Sequence, residues 1–210
     1  MSLIWTQASL EPKRKFRYLI DFSGDTTDPQ LQTSLKDFRF LAQTCERPGV
    51  KVGSTPHQYF DKTYFHPGRV TWEPNPINIK LVDIAAKAEQ ATDTNQALLK
   101  AFVQSGLQVF SGDNEFRTIG KERAVGALGS VKISVLGSLT DATTLIEPSG
   151  LAQGQGVVEI WTLKNAWLES FKPDALDYSS EDILTVTIQV RYDWCSLETP
   201  ALPGSTLLAK

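Results

Sequence analysis

The most regular pattern in the chain is an alternation near its end. Leu184, Val186, Ile188, Val190, Tyr192 and Trp194 fall on one side, and Thr185, Thr187, Gln189, Arg191 and Asp193 on the other. A period of two, with β-branched and aromatic residues on the apolar side, predicts a strand with one dry and one wet face. The first half of the stretch from Val157 to Trp194 is β-rich too. A polar segment with Pro173 and Asp174, then Asp177 to Asp182, divides the halves. Two long strands joined in this way predict an antiparallel hairpin against whose dry face the other segments pack.

Several shorter runs share the period of two. Phe16, Tyr18, Ile20 and Phe22 alternate with Lys15, Arg17, Leu19 and Asp21, predicting a strand whose leading basic cluster is a solvated face or edge guard. Phe38 to Thr44 reads as a strand stopped by Arg47-Pro48-Gly49-Val50, and Ile77, Ile79, Leu81 and Val131, Ile133, Val135 mark two more. Residues 23–35, 111–127 and 137–156 read as loops. The tail 196–210, with Pro200, Pro203 and Gly204, reads as an extended arm or disordered end.

The period changes once. Leu98, Leu99, Phe102 and Val103, with Ala97 and Ala101 beside them, form one face of a helix. Asp93 or Thr94 serves as its N-cap and Gly106 as its C′ residue. Asp83 to Ala91 adds a turn or short helix before it. The pattern thus predicts a mainly β protein, an antiparallel sandwich or barrel-like sheet carrying one packed α-helix. That helix should bury Leu98, Leu99, Phe102 and Val103 against Val186, Ile188 and Val190. One domain spans 1–195, followed by the tail.

One block stands apart. Tyr59, Phe60, Tyr64, Phe65 and Trp72 crowd around a Gly68-Arg69 turn after Pro67. Such aromatics are either core or an arm, about 45–76, that buries itself on a neighbouring subunit. His57 and His66 lie in the same block without a carboxylate or cysteine partner at ligand spacing, which favours a structural role.

Composition narrows the picture. The chain has 210 residues, 41% hydrophobic and 21% charged, which fits a soluble globular protein. No apolar run approaches the roughly 20 residues of a bilayer span, so membrane insertion is not expected. The start, MSLIWTQASLEPKRK, has no signal-peptide pattern. A formal charge of -3 gives no electrostatic reason to hold nucleic acid. Cys45 and Cys195 lack CxxC spacing and read as structural thiols in a reducing compartment. Gly120-Lys121 lacks the rest of a phosphate loop. No nucleophile or metal motif is present, and Asp177, Glu181 and Asp182 read as turn formers, so no enzyme, cofactor or metal is expected.

Five stretches resemble the tail tube subunits of contractile-tailed bacteriophages: KRKFRY from Lys13, Pro48-Gly49-Val50, YFDKTYFHPGRVTWEP from Tyr59, EIWTLKNAW from Glu159, and DYSSEDILTVTIQVRYDW from Asp177. They run in the family's order from about residue 12 to 195; residues 23–35, 137–156 and the tail match nothing in it. The resemblance implies a structural virion protein, assembled in the bacterial host cytoplasm. Its subunits form hexameric rings that stack into a tube inside a contractile sheath. Its partners would be itself, the sheath protein, baseplate and tail terminator proteins, and genomic DNA passing through the lumen without sequence-specific binding. Tyr59, Phe60, Tyr64, Phe65 and Trp72 become candidates for contacts between subunits. Thr185, Thr187, Gln189 and Arg191 become candidates for lining the lumen. A tube initiator, the inner tube of a related injection particle, and a monomeric β-rich binding protein are the alternatives.

Overall fold

A computed structural model describes residues 13–23, 35, 38–39, 41–85, 93–106, 120–137, 157–199 and 206–207. Two antiparallel sheets enclose the core. The larger takes β1 (Tyr18–Ser23), β6 (Ser130–Leu136), β7 (Val157–Lys164), β10 (Trp194–Glu198) and β11 (Thr206–Leu207) in the order β1-β6-β7-β10-β11. The second takes β2 (Ala42–Cys45), β5 (Ile77–Val82), β8 (Trp167–Pro173) and β9 (Thr185–Arg191) in the order β2-β5-β9-β8. Alternation decides what they bury. Ile20, Phe22, Val131, Ile133, Leu163 and Cys195 from the larger sheet share one cluster with Ile77, Ile79, Leu81, Val186, Ile188 and Val190 from the smaller.

The expected long hairpin exists, but it is folded across both sheets. β7 pairs with β10 and β8 with β9, so each arm of the hairpin crosses from one sheet to the other at the same level. Asn165 turns the first arm at a φ of 53°, a left-handed conformation that Asn tolerates better than most residues. The second arm turns at Tyr192 and Asp193, so the alternation through Trp194 is not one strand. Tyr192 is 2% exposed, while Trp194 and Leu184 are each 41% exposed. The tyrosine hydroxyl donates to Pro74 O at 2.9 Å, and Asn75 Nδ2 donates to Tyr192 O at 2.8 Å. Burial pushes the phenol pKa up to about 12. The corner is closed by Asp193 N donating to Lys164 O at 3.1 Å.

Helix α1 (Thr94–Gln104) begins where expected: Asp93 accepts from the backbone N–H of Asn95 and Gln96. Gly106 follows its end at a φ of 102°, as a C′ glycine. Only half of the predicted face is buried. Leu98 and Phe102 are inside with Ala97 and Ala101, whereas Leu99 and Val103 are 45% and 54% exposed. The physical reason is that the buried stripe follows Thr94, Ala97, Leu98, Ala101 and Phe102, a spacing of three and four, and Leu99 and Val103 lie one step off it. Phe102 meets Phe171 of β8 with ring centroids 5.5 Å apart.

Two further expectations fail. A second helix, α2 (Lys121–Leu128), occupies the end of the supposed loop 111–127 and buries the small residues Ala124 and Ala127 with Leu128. Phe38, Arg39 and Leu41 are helical, not strand, and only Ala42–Cys45 pairs in a sheet. Leu35 and Phe38 are buried a helical three residues apart, and Phe38 meets Phe22 edge-on at 6.1 Å. The tail is strand at first: Ser196 to Glu198 lie in β10, and β11 pairs beside them. The readings for 24–34, 86–91, 107–119 and 138–156, and the remainder of the tail, lie outside the described residues.

Candidate assembly surfaces

The aromatic block forms a separate two-stranded ribbon, β3 (Gly49–Tyr59) and β4 (Lys62–Glu73), pairing from Gly49↔Glu73 to Tyr59↔Lys62. At roughly 3.3 Å per residue, its 11-residue first strand spans about 36 Å. The turn is at Phe60-Asp61, with Phe60 at a φ of 54°, and not at Gly68-Arg69. Gly68 instead faces Gly53 across a register shift in mid-ribbon. A Cβ on Gly68 would lie 3.1 Å from Gly53 O, so the strands approach there because neither residue has a side chain.

The ribbon is apolar on both sides. Pairing puts His57, Tyr59, Tyr64 and His66 on one face and Pro56 and Phe65 on the other. Tyr59 meets Phe60 edge-on at 4.6 Å, and the His57 and His66 rings lie 6.1 Å apart. Core packing is ruled out for most of these side chains: Tyr59, Phe60, Tyr64 and Phe65 are 50–83% exposed. Val50, Val52 and Val70 are exposed as well. Trp72 differs, being half-buried at the root and packed against the core. A lone two-stranded ribbon is at best marginally stable in water; this one is anchored to the domain at its root, where Trp72 packs.

The outward side of the smaller sheet is polar and crowded. Across it, Lys80, Thr187 and Lys172 stand in one row, and Asn78, Gln189 and Ser170 in the next. Gln189 donates to Asn78 Oδ1 at 3.2 Å and accepts from Ser170 Oγ at 2.7 Å. Arg191 makes a two-pronged pair with Glu169, at 2.9 and 2.7 Å, which raises its pKa. Glu169 can reach because a register shift between Leu168 and Ser170 displaces it. Asp193 accepts from Lys121 Nζ at 2.6 Å and Asn165 Nδ2 at 2.8 Å. Thr185 shares the face of Thr187 by alternation but is covered there: it is 3% exposed, with its hydroxyl on Asp174. Thr187, Gln189 and Arg191 remain on that face, half-buried by their lateral neighbours. Two cations of this face are paired, Lys80 standing 3.9 Å from Asp174 and Arg191 on Glu169, and Lys172 of the same row adds a third.

Asp177 and Asp182 act as turn formers, Asp182 through Ser180. Asp177 Oδ1 accepts from Ser179 N and Oγ, and these bonds hold its carboxyl below the usual range. Burial pushes the thiols of Cys45 and Cys195 up to about 12. Among the described residues, no group of three or more His, Cys, Asp or Glu is placed to hold a metal ion, and no helix is long and apolar enough to cross a membrane.

No family model matches the chain, and no curated protein matches its sequence. Solved structures do match over almost all of it. A chain in the six-fold symmetrised cryo-EM structure of the anti-feeding prophage baseplate is similar at 15% identity and a TM-score of 0.56, over 92% of this chain and 99% of that one. A chain of the anti-feeding prophage tube-terminating cap is similar at 13% identity and a TM-score of 0.53, over 95% and 99%. A chain of the PVC sheath/tube terminator of an extracellular contractile injection system is similar at 14% identity and a TM-score of 0.52, over 91% and 100%. At these identities the likeness is one of fold.

Proposed function

We propose that this chain is a structural subunit of the tube in a contractile tail or injection particle, self-assembling into hexameric rings that stack. The observation that carries the proposal is the ribbon 49–73, which exposes aromatic and aliphatic side chains on both faces and pairs with no other described strand. Burying one such side chain stabilises by roughly 1.5–3 kcal/mol, so several seated on a neighbouring copy suffice to hold rings together. The likeness to chains of baseplate, terminator and cap assemblies supports the same reading, and six-fold copy number follows the symmetry of the first.

In this reading the smaller sheet forms the wall of the bore. Its outer strands β2 and β8 pair on one side only among the described residues, and pairing them between copies removes edges that would otherwise invite aggregation. Thr187, Gln189 and Arg191 then face the lumen, where a surface whose Lys80 and Arg191 are ion-paired holds a polyanion such as DNA less than free cations would. Sheath, baseplate and terminator proteins are the outer partners, and the assembled particle is the site of action. The likeness to baseplate and terminator chains also supports a second reading, an adaptor ring at one end of such a tube. No catalytic role is assigned to any residue.

Substituting Tyr64 and Phe65 together by serine tests the proposal. The double variant is expected to keep its circular dichroism spectrum and melting transition while losing ring and tube formation in electron micrographs. Unchanged assembly, or loss of the fold itself, would contradict the role given to the ribbon.

A further inference from the structure

Two surfaces outside the ribbon and the wet face are complementary. One is a cavity of about 440 Å³ beside β1, whose lining includes Lys13, Arg14, Lys15, Arg17 and Arg47. Glu159 offsets part of this charge: it pairs with Lys13, and Arg47 Nη1 stands 3.6 Å from its Oε2. A net positive excess remains, with Arg14 and Lys15 exposed. At its edge Phe16 is 74% exposed, with the Arg17 guanidinium 5.6 Å from its ring.

The other surface is the β8–β9 loop, exposed throughout residues 175–184. It presents the carboxylates of Asp177, Glu181 and Asp182 together with Leu176, Tyr178 and Ile183, which are 72–111% exposed. Its shape is set by its own serines: Ser179 caps Asp177, and Ser180 Oγ donates to Asp182 Oδ2 at 3.0 Å. Phe16 and Tyr178 are both open to solvent in the same chain, so loop and cleft do not meet within one copy.

We propose that the acidic loop 175–184 of one copy seats in the basic cleft of the next, Tyr178 and its apolar neighbours covering Phe16 while Glu181 and Asp182 meet Arg14 and Lys15. The inference rests on the self-assembly reading above and names a contact within it. Different patches on the two partners make this a head-to-tail interface, the kind that repeats into a ring or a filament. A nucleic-acid phosphate would satisfy the same cations, but it would leave the apolar side chains of the loop uncovered, and the chain carries a net charge of -3. Charge complementarity of this kind chiefly sets register and encounter rate.

The test is a charge swap in the full chain. Arg14→Glu with Lys15→Glu, and separately Glu181→Lys with Asp182→Lys, should each raise the concentration needed for assembly by about tenfold or more. The chain carrying all four substitutions should assemble again. Single reversals that assemble like the parent, or a four-fold variant as impaired as the reversals, would overturn the contact. Mixing a Phe16→Cys chain with a Tyr178→Cys chain and adding a short bismaleimide supplies an arm independent of tubes. A cross-linked dimer formed only in the mixture supports the contact, even if the parent makes no tubes, in which case the tube reading alone fails. Tubes without that product overturn the contact and leave the tube reading intact. Duplex DNA binding that is lost on Arg14→Glu and Lys15→Glu, with assembly unchanged, would overturn it in favour of a phosphate site.

Discussion

Asp193 ties the sheet-crossing corner to α2 through Lys121 and to the opposite turn through Asn165, and these bonds lower its pKa from the ordinary 3.8. A carboxylate with a depressed folded-state pKa contributes stability that is present above 3.8 and is lost as pH falls through the folded value. Asp193→Asn should therefore destabilise near neutral pH, by about 1 kcal/mol or less because both partners are over a third exposed. Denaturant melts of parent and variant should converge as pH drops below 3.8; a gap that widens on acidification would refute the linkage. At this scale the sequence was readable where local chemistry decides, as at the Asp93 cap and the Gly106 stop. The roles of Tyr192, Glu169 and Asp193 were hidden because their partners, Pro74, Arg191 and Lys121, are distant along the chain or brought into reach by a register shift.

The elements divide in the same way. Strands with a full alternation, such as Ile77–Val82 and the Val131 run, were legible because half-buried pleats demand that pattern. α2 was missed because its buried side is mostly alanine, with Gly126 in its middle, so the apolar stripe carries little signal. α1 was found, but its two leucines are not equivalent. Phe102→Ala should cost roughly 3–5 kcal/mol in chemical denaturation, whereas exposed Leu99→Ser should shift stability by about 0.5 kcal/mol or less. Equal losses would show α1 seated differently. The wet face of β9 has its own test in Thr187→Cys. In assembled tubes this thiol should react with a small maleimide and be shielded from a large polymer-linked one, while free subunits react with both. Equal labelling of tubes by the large reagent would place Thr187 outside the bore.

For the whole molecule, the sandwich class was legible because alternation and a capped helix point to it, and the crossing of the long hairpin between sheets was not. A period of two continues through the bend at Tyr192, since the corner is made by bonds to Pro74 and Asn75 and not by a break in hydrophobicity. The ribbon was legible as unusual but not as exposed, because aromatic density is the same signal in a core and in an interface. In the proposed reading, its exposure in the isolated chain makes this β-rich fold a subunit. That claim is tested most directly by purifying the unaltered chain, concentrating it as far as it remains soluble, and measuring its mass by light scattering alongside electron microscopy. Hollow rings or stacked tubes of defined mass are the predicted result; a strict monomer across the whole concentration range would contradict it.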